Sequence, residues 1–367
     1  MMIYIITFII SLSLIYISYS KKIKPLTKSI LIFVSLLIPC FLAANRALSI
    51  GTDTDGYILK LFNTALKTDS FSAFCNLSKL YFDIKDYGYL FITYISAHCF
   101  KNFKFLLFII EFLVIVPIFK AIYKSSNNRN EALIGMSIFY LFMYNVSYNM
   151  ARQSISISFL ILGIVFLQNK KNINAFLSLL ISIAFHNTSL ISILIFIMFY
   201  LIHYLSNNKS KILTIIVYIA SLIFVFLHKE IIYLLYNTGL YSHGLFYLQR
   251  FSNFDFSFTD TIFYATMLLI YCKNKEIIKD KNINYDYYKF LGIESLIVLQ
   301  LGAFVQYMER VSFYFFYPFI ILAIPKISLH KNILSKYTSI LLIIMVFYWI
   351  YIFVILNSHN TIPYMFY

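Results

Sequence analysis

Charge is scarce in this 367-residue chain, where Asp, Glu, Lys and Arg make up 12% of residues against roughly 25% in soluble domains. So few charged groups could not cover the surface of a soluble core drawn from a chain that is 61% hydrophobic. The same apolar excess excludes intrinsic disorder. Nine glycines and six prolines exclude collagen-like and linker-rich classes. The four cysteines, Cys40, Cys75, Cys99 and Cys272, have no metal-ligand spacing. Cys75 and Cys99 share one expected side of a membrane and could bridge, although nothing in the sequence requires it. There is no P-loop, dinucleotide fingerprint, His-Glu-x-x-His or Gly-x-Ser-x-Gly, so no nucleotide cradle, zinc-protease helix or hydrolase elbow is visible.

What the chain has in abundance is apolar length, with 39 Phe and 32 Tyr. A spanning helix needs about 20 mostly apolar residues. Runs at about 2–20, 29–45, 103–120, 131–148, 153–168, 174–186, 187–205, 211–227, 259–272, 289–306, 311–326 and 340–357 predict about twelve spans. The expectation is an all-α polytopic membrane protein, a single multi-span domain over 1–367. The first run lacks a basic n-region and is followed by Lys21, Lys22, Lys24 and Lys28. It reads as a retained helix with its N-terminus outside. Two outer loops, about 46–102 and 228–258, are long enough to be functional. They interleave aromatics such as Tyr81, Tyr87, Tyr89, Tyr233 and Phe246 with polar residues, which predicts short helices lying in the interface.

The net charge of +15 does not indicate nucleic acid, because the bases sit in short connections between apolar runs and not on one exposed face. Stretches 21–28, 120–131, 169–173, 207–211, 273–289 and 326–336 hold 19 Lys and Arg against four acids. The opposite side holds 11 bases and nine acids. By the positive-inside rule the first set is cytoplasmic. None of these connections could hold a soluble catalytic domain, so the working face is expected outside the cytoplasm.

Only five of the 30 bases are arginines, and Arg46, Arg152, Arg250 and Arg310 all fall on the outer side. Arg holds phosphate bidentately, as Lys cannot, and four of them at one face would suit a pyrophosphate; interfacial snorkelling is the plainer alternative. Four polar clusters accompany them. Arg46-Ala-Leu-Ser-Ile-Gly-Thr-Asp53-Thr-Asp55-Gly-Tyr57 carries an Asp-x-Asp, which is either half a divalent-cation site or a turn. Asn145-Val-Ser-Tyr-Asn-Met-Ala-Arg152-Gln153-Ser places Arg152 and Gln153 at a helix start, where free N–H groups favour an anion. His186, in Phe185-His186-Asn187-Thr188-Ser189, breaks an apolar run at its outer turn as a general base, a phosphate donor or a structural cap. Glu309-Arg310, in Gln306-Tyr-Met-Glu-Arg-Val, is an interfacial ion pair or an acid–base partner of a phosphate-binding Arg. Glu294 lies inside a span, where a carboxylate is costly.

This order of motifs resembles the EpsG family and, more broadly, Wzy-type O-antigen and exopolysaccharide polymerases. The likeness covers nearly the whole chain and is strongest over 145–190. It implies a GT-C-like fold, no cofactor, no metal and no nucleic acid. It also implies a site on the outer face of a bacterial cytoplasmic membrane. The activity implied is transfer of a growing glycan from one undecaprenyl-pyrophosphate-linked oligosaccharide to another carrier's terminal sugar. Membrane lipid is the surrounding partner, and a chain-length regulator protein is a conceivable one. In that chemistry Arg46, Arg152, Arg250 and Arg310, with Gln153 and Tyr57, hold the substrate, and cationic donors stabilise the departing pyrophosphate. The base that takes the acceptor's proton is His186 first, Asp53 or Asp55 second, Glu309 third. A flippase of lipid-linked sugars and a ligase-like transferase are the competing readings. A flippase would show related halves, and no repeat is visible.

Overall fold

The computed structural model describes residues 1–82, 84–238, 256–276, 284–327, 329–330, 333–334 and 336–367. They are helical apart from turns, the C-terminal tail and a ladder of two residues a side, Leu329–His330 with Ile333–Leu334. All twelve apolar runs are helical over most of their length. Among the described residues, six helices are long and apolar enough to cross a membrane: Pro25–Ala44, Phe103–Ser125, Ala151–Gln168, Asn187–Tyr204, Asn207–Leu234 and Met308–Ile327. Met2–Ser18, Asn172–Phe185 and Ser339–Ile355 are apolar but shorter. At ~1.5 Å per residue, a 14-residue helix such as Asn172–Phe185 covers roughly 21 Å, less than a ~30 Å hydrocarbon core. Among the described residues, length and composition therefore qualify fewer helices than the expected twelve.

The chain divides into two units, Met1–Leu190 with Lys331–Tyr367, and Ile191–His330. In the first, Ala151–Gln168 is the central helix, packed against Phe103–Ser125 and Asn172–Phe185. Serines set its spacing: Ser182 Oγ donates to the Ser156 carbonyl at 2.9 Å, and the two hydroxyls lie 2.9 Å apart. In a chain so poor in glycine, serine supplies the small surface that lets helices close up in a membrane. Lys170, at φ +56, ends the central helix in a left-handed turn, and the Lys171 N–H donates back to the Phe166 carbonyl at 2.8 Å. Asn102 caps Phe103–Ser125 by accepting from the Lys104 and Phe105 N–H groups. Aromatics fill the space between Met2–Ser18 and 139–148, with Phe8 stacked on Tyr140 at 4.6 Å.

The long segment 46–102 is built from Thr54–Ile58, Leu59–Leu66, Phe71–Phe82, Tyr87–Ile95 and Ser96–Phe100, so short helices occupy the first expected loop. Tyr89, Leu90 and Thr93 are buried while Tyr87 and Phe91 are exposed. Cys75 and Cys99 are free thiols. In the second unit, Tyr285–Leu299 packs against Asn207–Asn237 and Phe258–Lys273, and buried Glu294 accepts from Ser221 Oγ at 3.1 Å. Asn207–Asn237 carries helix ten residues into the expected 228–258 loop, because Ile231, Ile232, Tyr233 and Leu234 prolong the apolar helix.

Candidate functional site

The site belongs to the first unit and begins where Pro25–Ala44 ends. Gly51 has φ +77, and a Cβ there would stand 2.6 Å from the Tyr148 carbonyl oxygen. Only glycine combines that backbone with so close an approach. The contact lays 51–54 along the turn that precedes the central helix, and the Thr52 N–H donates to Asn149 Oδ1 at 2.6 Å. Asp53 then reaches the start of Ala151–Gln168, where its Oδ2 accepts from the Ala151 N–H at 3.2 Å. A carboxylate is stabilised at that end of a helix. The anion held at this helix start is thus the chain's own Asp53.

One π-helical turn, Thr54–Ile58, brings Tyr57 back over Asp53, and its hydroxyl donates to Asp53 Oδ2 at 3.0 Å. Burial, then the Asp53 charge, pushes the Tyr57 phenol well above its ordinary value, so it remains a donor. The Arg152 guanidinium lies 4.9 Å from the Tyr57 ring, and its Nε donates to the Tyr57 hydroxyl at 3.4 Å. Arg152 Nη1 also forms an ion pair with Asp86.

Asp86 joins these elements. Oδ2 accepts from Arg152 Nη1 and lies 3.4 Å from His186 Nδ1, and Oδ1 accepts from the Asn187 N–H at 3.1 Å. The carboxylate side chain is 3% exposed, against 23% for Arg152 and 22% for His186. Burial alone would raise its pKa; the His186 hydrogen bond and the Arg152 charge outweigh that and hold it below the usual carboxylate value. Gly88 makes the junction possible, since a Cβ there would stand 2.9 Å from the Ala184 carbonyl oxygen. The start of Tyr87–Ile95 can therefore lie directly against the His186 turn.

Arg46 lies deeper, 1% exposed. Its Nε donates to Thr54 Oγ1 at 3.1 Å, Nη1 to the Ala43 carbonyl at 3.3 Å, and the guanidinium stacks 4.2 Å from the Tyr148 ring. Below it, Ser147 Oγ donates to buried Glu111 at 2.8 Å. The C-terminal tail runs along the same segment: the Gly51 N–H donates to the Asn360 carbonyl, Ala47 to Met365, and Tyr367 to Asn45. Asn149 Nδ2 donates to the His359 carbonyl at 2.9 Å and lies 2.8 Å from His359 Nδ1.

Of the residues singled out in the sequence, Arg46, Asp53, Tyr57, Arg152 and His186 are thus joined through Thr54, Asp86 and the helix start. Gln153 is buried in the first turn of the central helix, and Asp55 is exposed. Glu309 and Arg310 belong to the second unit, where the Arg310 guanidinium lies 4.6 Å from the Tyr307 ring. Arg250 lies outside the described residues. Among the described residues, no group of three or more His, Cys, Asp or Glu gathers as a metal site. Asp86 and His359 did not stand out in the sequence, and Asn149 did so only as a member of the 145–154 cluster. The available signal for Asp86 was Asp86-Tyr-Gly-Tyr89, one of the few places where a rare glycine follows a carboxylate.

A protein-family model, described as the EpsG family, matches residues 29–366. No curated protein and no solved structure matches the chain.

Proposed function

The chain belongs to the EpsG family, and we propose that it moves a growing glycan from one polyprenyl-pyrophosphate carrier to the terminal sugar of another. Membership itself points to a membrane-associated, glycosyltransferase-like polysaccharide polymerase. The finer reading rests on one observation, that Asp86 holds Arg152 and His186 side by side. With the Nδ1 proton directed at Asp86, His186 presents the Nε2 lone pair, as an oriented general base does. The acceptor hydroxyl gives its proton to Nε2 as its oxygen bonds to the donor's anomeric carbon. The bond from that carbon to the pyrophosphate oxygen breaks, and the carrier leaves as pyrophosphate. Arg152 stabilises the charge that develops there. It reaches that task already oriented by Asp86 and the Tyr57 hydroxyl, so little ordering remains to be done.

The excess of lysine on the opposite connections supports a site facing away from the cytoplasm. The six helices that are long and apolar enough to cross, among the described residues, support a multi-span placement, which we assign to the cytoplasmic membrane of a bacterium. The test is a gel of surface glycan from a deletion strain complemented with Arg152→Lys or His186→Gln. Both variants are expected in the membrane at normal level, with single repeats on the carrier and no ladder. Arg152→Lys is the sharper probe, since it keeps charge and loses the planar fork. A ladder of normal length from both would sink the reading.

A further inference from the structure

In the second unit three helix ends surround a cavity of about 350 Å³, within the ~300–1,000 Å³ of small-ligand pockets. They are the first turn of Phe258–Lys273, the turn Gln300–Ala303 that closes Tyr285–Leu299, and the turn Met308–Ser312. Ser257, Asp260, Thr261, Gln300 and Glu309 supply the polar lining.

The side-chain donors of this lining are directed at the protein. Ser257 Oγ donates to Asp260 Oδ2 at 2.6 Å, and Thr261 Oγ1 donates to the Ser257 carbonyl at 2.8 Å. Gln300 Nε2 donates to Thr261 Oγ1 at 3.3 Å and to the Leu296 carbonyl at 3.1 Å. What the side chains of the lining offer a guest is acceptors: two carboxylates, which only accept when ionised, and the Gln300 carbonyl oxygen. Gly302 fixes one of them in place. A Cβ there would stand 2.7 Å from the Glu309 Cβ and 3.2 Å from its Oε2, so only glycine lets that carboxylate lie against the turn.

A guest in a cavity of acceptors must bring donors. We propose that the cavity binds a sugar ring, with Asp260, Glu309 and Gln300 accepting from its hydroxyls. Two carboxylates make an incomplete cation site, and no third His, Cys, Asp or Glu joins them among the described residues. An ammonium also carries donors; the choice of hydroxyls over it rests on the polymerase reading above.

The test uses the full chain in phosphatidylcholine–phosphatidylglycerol nanodiscs and saturation-transfer NMR. Probes are the methyl glycosides of glucose, galactose, N-acetylglucosamine and N-acetylgalactosamine, with ethylammonium as the competing donor. At least one glycoside should bind, and Glu309→Gln should weaken it about tenfold or more by removing a charge-assisted hydrogen bond. Gly302→Ala keeps both carboxylates but displaces Glu309, and should also weaken it. Thermal stabilisation of the unaltered protein by the same glycoside reports binding without any variant. The proposal is overturned if none of the four glycosides binds, if Glu309→Gln and Gly302→Ala both bind as tightly as the parent, or if ethylammonium alone binds. Glycoside binding is read without polymer synthesis. Normal ladders from both Arg152→Lys and His186→Gln would therefore sink the site proposed above and leave this result standing, whereas undiminished binding in both Glu309→Gln and Gly302→Ala would sink the cavity alone.

Discussion

His186 turns Nδ1 toward Asp86 Oδ2 at 3.4 Å, across 100 residues of sequence, and the same oxygen pairs with Arg152. One buried carboxylate thereby fixes both the cation and the imidazole of the site. Its removal should disturb two functions at once.

Asp86→Asn keeps the shape of the side chain and removes its charge. Polymer length should collapse, as is expected for His186→Gln. Stability should also separate the two proteins by pH. The folded carboxyl lies below its ordinary value, so its ionised form contributes stability that is fully present above the unfolded value of about 3.9. That contribution is lost as pH falls through the lower folded value. In detergent, the parent should melt above Asp86→Asn at pH 6, and the gap should close below about pH 4. A gap that persists unchanged at pH 3 would contradict the charged pair.

Gly88→Ala tests how the carboxylate is delivered. The new methyl would meet the Ala184 backbone, so Tyr87–Ile95 must shift away from the His186 turn. Overpacking of this kind costs about 1–3 kcal/mol. The variant should insert in the membrane, melt lower and lose long chains. Full ladder length in Gly88→Ala would show that the Asp86–His186 spacing is not critical.

Arg46 separates scaffold from clamp. Its guanidinium is buried against Tyr148 and committed to Thr54 and Ala43. Arg46→Lys keeps a cation but abandons the stack and the forked donors, a loss of about 1.5–3 kcal/mol for hydrogen bonds to a charged group. The expected outcome is a lower melting temperature, with ladder length falling only in proportion to the folded protein recovered. Loss of the ladder at unchanged melting temperature would return Arg46 to the substrate.

Helices were legible in the sequence because each is an apolar run bounded by lysines or polar turns. Asp53, Tyr57, Arg152 and His186 were legible because a polar cluster in such a chain is conspicuous. Asp86 was not, since Asp86-Tyr-Gly-Tyr89 marks a turn but does not encode the backbone approach at Gly88 that makes the carboxylate central. Arg46 read as one of the arginines that hold the substrate, because a base next to a helix end is ordinarily wet and open to a ligand. Its burial depends on Tyr148, about a hundred residues on, and on a tail whose strand-like pairing with 45–51 has no distinctive composition. Local periodicity reports helices; it does not report which distant turns meet.

The side of the membrane on which Asp86 and His186 stand can be read directly. Cys99 is free and exposed, in the segment that carries Asp86, and Lys124 and Lys171 are exposed at the other ends of Phe103–Ser125 and of the central hairpin. An impermeant maleimide should label Cys99 on intact spheroplasts. Lys124→Cys and Lys171→Cys, in a background with the four native cysteines replaced, should react only after permeabilisation. These positions test more than orientation, because the lysine excess that predicts the topology and the site that needs an outward face are independent features of the chain. If Cys99 reacted only after permeabilisation, the lysines would be serving something other than topology. The Arg152–His186 pair would then have to work on carriers in the cytoplasmic leaflet, where the proposed transfer between exported repeats has no substrate.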